Sequence, residues 1–529
     1  MSSSKVFVRD STGLVRTLST ADALWINLTS AAPYATSIFG ILLMIQYFPG
    51  AYVPLSIIIG GLGWAALSTV YAFLSAAMPR SGGEYVYQSR VLHPTLGLGS
   101  SFNIQLWILT FSATNIFLVV QLFTRFLTAA GQSDLSNFVS QTNNFFIAGL
   151  ICIIVGSAVM IVGLRIYTKL QWICVILAFV ATVAVIFVLF SWGAAFPTLF
   201  NNYANPVMNS SDSYNQILNL AHQNGYTFNG YDVGSTIAAT VGTVSGVAGS
   251  WWSNYSAGEI KRGNSAKVQL LSLPGATMLA AAIMALIAAG LQYSTGWDFL
   301  QGIVRLQAFS PSVYPLGSFA PTWDYFIAYL GNPAVVSIFL FGIFAASFLL
   351  VPVNILAFSR SVFAWSFDRI LPEKLTGVST KFGTPTLAIT ICAILTTALW
   401  YMTVYTTVLS VLAASILGFN VTLAIVAVTG ILFPYRMKKT YEASTIKWNI
   451  LGIPAVTLVG LVALIFILYQ IYVFLAYPSL AALAVSSLTG GVIIGTFVLG
   501  FVLYYGARAY RKAKDGIDIS FGFKEIPPE

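Results

Sequence analysis

The sequence predicts an all-α integral membrane protein of twelve transmembrane helices, built as a 5+5 inverted repeat (spans 1-5 and 6-10) with helices 1 and 6 broken, plus two extra C-terminal helices. Three observations carry this reading. Of the 529 residues, 57% are hydrophobic and only 8% charged, against roughly 25% charged in soluble globular proteins. Runs free of Lys, Arg, Asp and Glu recur at the roughly 20-residue length that a bilayer demands. The few cations, finally, sort by the connection in which they fall. A soluble domain, a disordered chain and a nucleic-acid binder are all excluded, because none carries so much apolar and aromatic surface with so little charge.

In order, the charge-free spans are 23-47, 52-78, 99-124, 144-163, 170-192, 234-257, 269-293, 334-358, 386-402, 407-433, 450-476 and 481-505. The ninth and tenth divide one apolar run of 48 residues near Met402 to Thr406. Residues 1-22 are polar and lack an apolar core, so they read as a cytoplasmic N-terminus and not as a cleavable signal peptide. With that end inside, 23 of the 25 Lys+Arg fall on the cytoplasmic face, and only Arg125 and Arg305 fall outside. The expected organisation is a first five-helix repeat over 23-196, an extracellular loop over 197-233, a second repeat over 234-433, helices 11-12 within 434-505 and a cytoplasmic tail over 506-529. The natural location is the plasma membrane, multi-pass, with lipid around the spans.

The longest connections, Pro197 to Val233 and Ser294 to Pro333, follow spans 5 and 7, while only about ten residues join spans 6 and 7. A twelve-span protein of the major facilitator type would carry its long connection there. Two halves of five helices fit better, and since five is odd the second half enters the membrane from the opposite side, as in many secondary transporters. That design places a helix break at the start of each half. Span 1 has Pro33 near its middle with Thr29, Ser30 and Thr36 around it, and span 6 has Gly242, Gly246 and Gly249 at its centre. Gly242 and Gly246 also match a GxxxG packing face. Cys152, Cys174 and Cys392 lie in apolar spans as small core residues, and neither His93 nor His222 has a partner at metal-ligand spacing, so no metal and no cofactor is expected. Asn209-Ser-Ser is a glycosylation sequon in the large outer loop.

Three segments resemble the amino acid-polyamine-organocation (APC) superfamily and, within it, an amino acid permease. They are Ala76 to Ser100 (AAMPRSGGEYVYQSRVLHPTLGLGS), Gly258 to Arg262 (GEIKR) and Ser359 to Pro385, with Asp368 and Leu371-Pro372. The resemblance covers spans 1-10. It implies a substrate that is an amino acid or related amine, held by its main-chain ends. Physically, a helix restarting after Pro33 offers free amides and a positive dipole end to a carboxylate. Carbonyls near Thr29, Ser30, Ala31 and Ala32, and near Ser245, Gly246 and Gly249, are suited to an ammonium. Trp251 and Trp252 follow the break in span 6 and are placed to close the outer side or stack on a side chain. No acidic residue lies inside a span, which favours neutral amino acids over polyamines.

On the cytoplasmic side, Arg80, Glu84 and Arg90 are candidates for an ion-paired gate, and Glu259 needs a cation because it ends a helix, with Arg80 or Lys261 in reach. In span 8, Pro352 and Asn354 offer a kink and an amide, and an ion site from Ala31, Ala32 and Asn354 is conceivable. The resemblance implies a comparison here, because some proton-coupled relatives carry a fifth-helix lysine. Here Lys169 sits at the membrane edge and Ala178 occupies that depth, so co-transport of H+ or Na+ and uncoupled exchange stay open. No catalytic residue is expected, since no HExxH, Walker-type loop, nucleophile elbow or buried carboxylate pair occurs. The expected function is secondary active amino acid transport by alternating access. The alternatives are transport of a polyamine or cationic amine, or amino acid sensing without flux.

Overall fold

The computed structural model describes residues 14, 16–317, 319–379, 381–407, 416–477, 480, 487–524 and 526. Most of the expected N-terminal segment, the start of the expected tenth span at 408–415 and the start of the expected twelfth span at 481–486 lie outside the described residues. Helix α1 (Thr20–Ala31) starts at a capping box: the Asp22 amide donates to the Ser19 hydroxyl at 3.1 Å and the Ser19 amide donates to the Asp22 carboxylate at 2.9 Å. It stops at Ala32, whose φ of 45° and ψ of 53° are left-handed, and α2 (Pro33–Tyr47) begins at once. Proline suits that first position because it has no amide to leave unpaired.

The chain continues through α3 (Val53–Ala77), the short α4 (Glu84–Val91), α5 (Pro94–Ala129), α6 (Thr142–Val162) and α7 (Leu164–Trp192). After the broken sixth segment come α8 (Ala266–Thr295), α9 (Pro333–Phe348), α10 (Leu350–Phe367), α11 (Thr386–Tyr405), α12 (Ile416–Arg436), α13 (Ala455–Ala476) and α14 (Ser487–Asp515). Among the described residues, 11 helical stretches are long and apolar enough to cross a membrane, with α1–α2 and α9–α10 each counted as one.

The sixth expected span, 234-257, is not among those 11. It is a helical turn (Val233–Ala238), a 3-10 stretch (Ala239–Val244), an irregular turn, and further 3-10 turns over Trp252–Tyr255 and Ala257–Glu259. Gly246 and Gly249 adopt φ of 110° and 89°, which no ordinary helix accommodates. At the C-terminus, α14 runs on to Asp515, beyond the expected membrane limit at 505.

The two long connections are also more ordered than their polar composition suggests. They form helices over Phe196–Met208, Ser213–Gln223, Trp297–Phe309 and Trp323–Leu330. Phe196, Phe200, Phe299 and Phe326 pack together there, and Tyr214 stacks on Phe299 at 4.1 Å, so aromatic burial holds the cap in place. A short hairpin pairs Asn449–Ile450 with Ile453–Pro454 between α12 and α13.

The core is made where α3 packs on α8, with α1 also on α8, α9 on α5 and α7, and α13 on α3 and α12. Outward lies a surface that water would not tolerate: Ile151, Phe187, Ile338, Ile394, Ile465 and Ile494 are all exposed. Close approach between α2 and the broken segment needs a residue without a side chain. A Cβ at Gly40 would stand 2.4 Å from the Ser245 carbonyl oxygen and 2.5 Å from that of Gly242. Gly40→Val is therefore expected to destabilise by at least about 1–3 kcal/mol through overpacking, read as a lower melting temperature in detergent; an unchanged melting temperature would count against this crossing.

Candidate functional site

The two breaks in the chain face each other. Ser30, in the last turn of α1, shares its hydroxyl proton between the Gly249 carbonyl at 2.7 Å and the Asn27 carbonyl at 2.8 Å. The Asn27 side chain ties the same elements from the other side: its Oδ1 accepts the Ser253 amide at 2.8 Å and its Nδ2 donates to the Ser272 carbonyl at 2.8 Å. Polar groups released by the breaks are thus reused between the elements, as a water-poor interior requires.

Between the breaks lies a void of about 510 Å³, counting its mouth. Ser30, Ala31 and Thr36 line one side, and residues 244–246, 248–249 and Trp252 line the other. Phe111 and Asn115 of α5, Asn354 of α10 and Phe419 of α12 complete the wall. None of these residues is ionisable. The Asn354 Nδ2 has no hydrogen-bond partner among the described residues, so an unused donor is part of the wall.

The structure brings together Ser30, Ala31, Ser245, Gly246, Gly249 and Asn354 on this wall. Thr29, Ala32 and Pro33 are buried behind it, and the Thr29 hydroxyl turns back to the Trp25 carbonyl at 2.7 Å. Trp251 also lies behind the wall, stacked on Tyr71 at 5.6 Å and near Trp64 at 5.8 Å, and it is Trp252 that reaches the void. Both tryptophans follow the break toward Glu259, and Trp252 floors the void on that side.

Asn27, Phe111, Asn115 and Phe419 escaped the sequence reading. An amide inside a charge-free span was a visible signal for the two asparagines, whereas nothing local separates Phe111 or Phe419 from other membrane aromatics. For the conceivable ion site, the Ala31 and Ala32 carbonyls already accept the Thr36 hydroxyl, at 2.6 and 3.1 Å, and the Ala32 carbonyl also accepts the amides of Ala35 and Thr36. Ala178 is buried and its carbonyl accepts the Thr182 hydroxyl at 2.7 Å, while Lys169 is exposed.

Beyond Trp252 the chain is laced shut. Leu18 donates its amide to the Glu259 carbonyl at 3.0 Å and accepts the Lys261 amide at 2.8 Å, and Gly82 donates to the Tyr255 carbonyl at 2.9 Å. The resulting bend turns Glu259 inward. Its partner is Arg360 of α10, with Nε to Oε1 at 2.8 Å and the second contact at 3.1 Å, and both groups are buried. This corrects the expectation of Arg80 or Lys261: Lys261 is exposed, and the Arg80 guanidinium donates to the Pro79 carbonyl at 3.0 Å.

A second buried pair joins Arg90 of α4 to Asp368 just past α10 at 2.7 Å, with the Tyr85 hydroxyl donating to the same carboxylate at 2.8 Å. Glu84 does not join the expected network. It is buried at the start of α4, and neither of its oxygens has a hydrogen-bond partner among the described residues.

A family model described as "Amino acid permease" matches residues 18–503. No curated protein matches the chain. The family match points to a transporter rather than an enzyme, and with the many apolar helices it makes this a multi-pass membrane protein.

The seal can be tested by partner choice. Glu259→Ala strands a buried guanidinium and is expected to cost about 3–5 kcal/mol, whereas Lys261→Ala on the exposed neighbour should stay within about 0.5 kcal/mol. Thermal unfolding of the two variants in detergent compares them, and equal losses would contradict the assigned pair.

Proposed function

The chain belongs to the amino acid permease family of the APC superfamily, and we propose that it carries neutral amino acids across the plasma membrane by alternating access. The observation that carries this reading is the void at the junction of the two breaks, whose wall has backbone, amide, hydroxyl and aromatic groups but no ionisable side chain. A zwitterion needs no fixed countercharge if a helix end meets its carboxylate and carbonyls meet its ammonium. The first turn of α2, whose dipole is positive at this end, and the turn at 245–249 both border the void and support this arrangement. Phe111, Trp252 and Phe419 offer the substrate side chain an apolar surface.

The architecture we propose is twelve spans, with residues 233–259 as the broken sixth. Spans 1-5 and 6-10 form two oppositely oriented halves, and both termini are cytoplasmic. Facing breaks at the start of each half support it, because each break is a place where one half can rock against the other. A cationic amine is a poorer fit, as its second ammonium would meet no carboxylate on the wall. Sodium at the Ala31 and Ala32 carbonyls would have to compete with the Thr36 hydroxyl.

In proteoliposomes, tritiated L-alanine, L-leucine or L-phenylalanine should enter saturably and undergo counterflow against the same unlabelled amino acid. Asn354→Leu and Phe419→Ala should each raise KM at least about tenfold, the equivalent of one lost polar or aromatic contact. Binding without counterflow would favour the sensor reading. Unchanged KM in both variants would remove the substrate from this void.

A further inference from the structure

The transport reading leaves Glu84 without a role, and among the described buried carboxylates it is the one without an arginine. Gly82 and Gly83, with φ of 120° and 62°, turn the chain inward just before it, where a Cβ on either would press on Ala364 or on the Tyr255 ring. Glu84 itself is fully buried, and neither carboxylate oxygen has a partner among the described residues. Three tyrosines surround it: Tyr71 from α3, Tyr87 from its own helix and Tyr255 from the broken segment. The hydroxyls of Tyr71 and Tyr255, and the amide of Gln105 on α5, are likewise buried, and the Tyr255 hydroxyl is near both the Glu84 carboxyl and Gln105 without a well-formed hydrogen bond to either.

Among the described residues no cation pairs with this carboxylate: four positions before it, the Arg80 guanidinium donates to the Pro79 carbonyl. Helices α5, α10 and α12 pack on α4. On α10, Arg360 is engaged by Glu259, and Asp368 just past its end is engaged by Arg90 of α4 itself. On α12, Tyr435 and Arg436 are exposed, and Arg436 donates to the Leu92 carbonyl. Arg125 of α5 pairs with Asp324, and His93 caps the start of α5 beside Thr95. An isolated carboxylate in such surroundings costs several kcal/mol, and a neutral carboxylic acid far less.

We propose that Glu84 is the site at which this permease binds a co-transported proton, holding it while the seal beneath the void is closed and losing it when the seal opens. The inference rests on the transport reading above. Closed, residues 81–82 pair with 255–256 through the Gly82 amide, and the carboxyl group is shut among the tyrosines. One proton adds to a carboxylate oxygen, giving a neutral acid that tolerates burial, and burial pushes the carboxyl up to about 8. Opening admits water, the O–H bond breaks, the proton passes to that water, and the carboxylate stays behind hydrated. Because the closed form binds the proton more tightly, the proton stabilises closure by the same factor. The void is one aromatic layer away: Trp252 on its wall meets the Tyr255 ring edge-on at 6.1 Å.

The test uses the full-length protein in proteoliposomes, with whichever of tritiated L-alanine, L-leucine or L-phenylalanine the wild type exchanges fastest. A gradient acidic on the outside should drive accumulation and carry protons inward, seen with an internal pH dye. Glu84→Gln should keep counterflow at equal pH within about twofold while losing at least about tenfold in gradient-driven accumulation. Accumulation by Glu84→Gln at the wild-type level overturns the proposal. So does a wild type that exchanges amino acid but ignores the proton gradient, an outcome that leaves the transport reading standing. Absence of counterflow in the wild type sinks the transport reading and this inference with it. Should Glu84→Gln not fold, infrared spectra of the wild type and Glu84→Asp decide. A protonated-carboxyl band that titrates near pH 8 and shifts in Glu84→Asp supports the assignment, and its absence at acid pH overturns it.

Discussion

Inside a bilayer a backbone amide or carbonyl released from its helix has no water to turn to, and this constraint organises the protein. A broken helix is tolerable only where protein or a cavity takes up the freed groups. Two breaks are better accommodated side by side than apart, because each supplies partners for the other. Ser30 reaching the Gly249 carbonyl and Asn27 receiving the Ser253 amide are the local form of that rule.

Charge obeys the same economy. Three described carboxylates, Glu84, Glu259 and Asp368, are buried on the Glu259 side of the void, and two of them have found arginines. Both pairs depend on α10 or the residue that follows it, through Arg360 and Asp368, while their partners come from the broken segment and from α4. A shift of α10 relative to those two would strain both pairs together. A buried pair costs much to separate and little to keep, so the arrangement suits an element with two discrete positions better than one that flexes continuously.

Much of this was legible in the sequence. Charge-free runs located the helices, Pro33 located the first break to the residue, and Gly246 and Gly249 located the second, since each is a local conformational demand that a residue type reveals directly. Family resemblance was equally readable in Ala76 to Ser100, and the family match over residues 18–503 agrees with it. Partner choice was not legible. Glu259 finds its arginine 101 positions away because a backbone bridge to Leu18 turns it inward, and no periodicity encodes that. Which of the two tryptophans reaches the void was not legible either, since a 3-10 turn rotates neighbours differently from an α-helix. Polar composition likewise hid the helical cap, whose few aromatics do the packing.

The bridge between Leu18 and the residues around Ile260 is made of backbone alone. Its strength is therefore independent of which side chains occupy those positions, and the latch can persist while the flanking residues drift. It is also silent in an alanine scan, which leaves every amide in place. Proline at 18 or 261 would delete a donor outright, so at the exposed position 261 the latch should accept any residue that keeps its amide and refuse only proline.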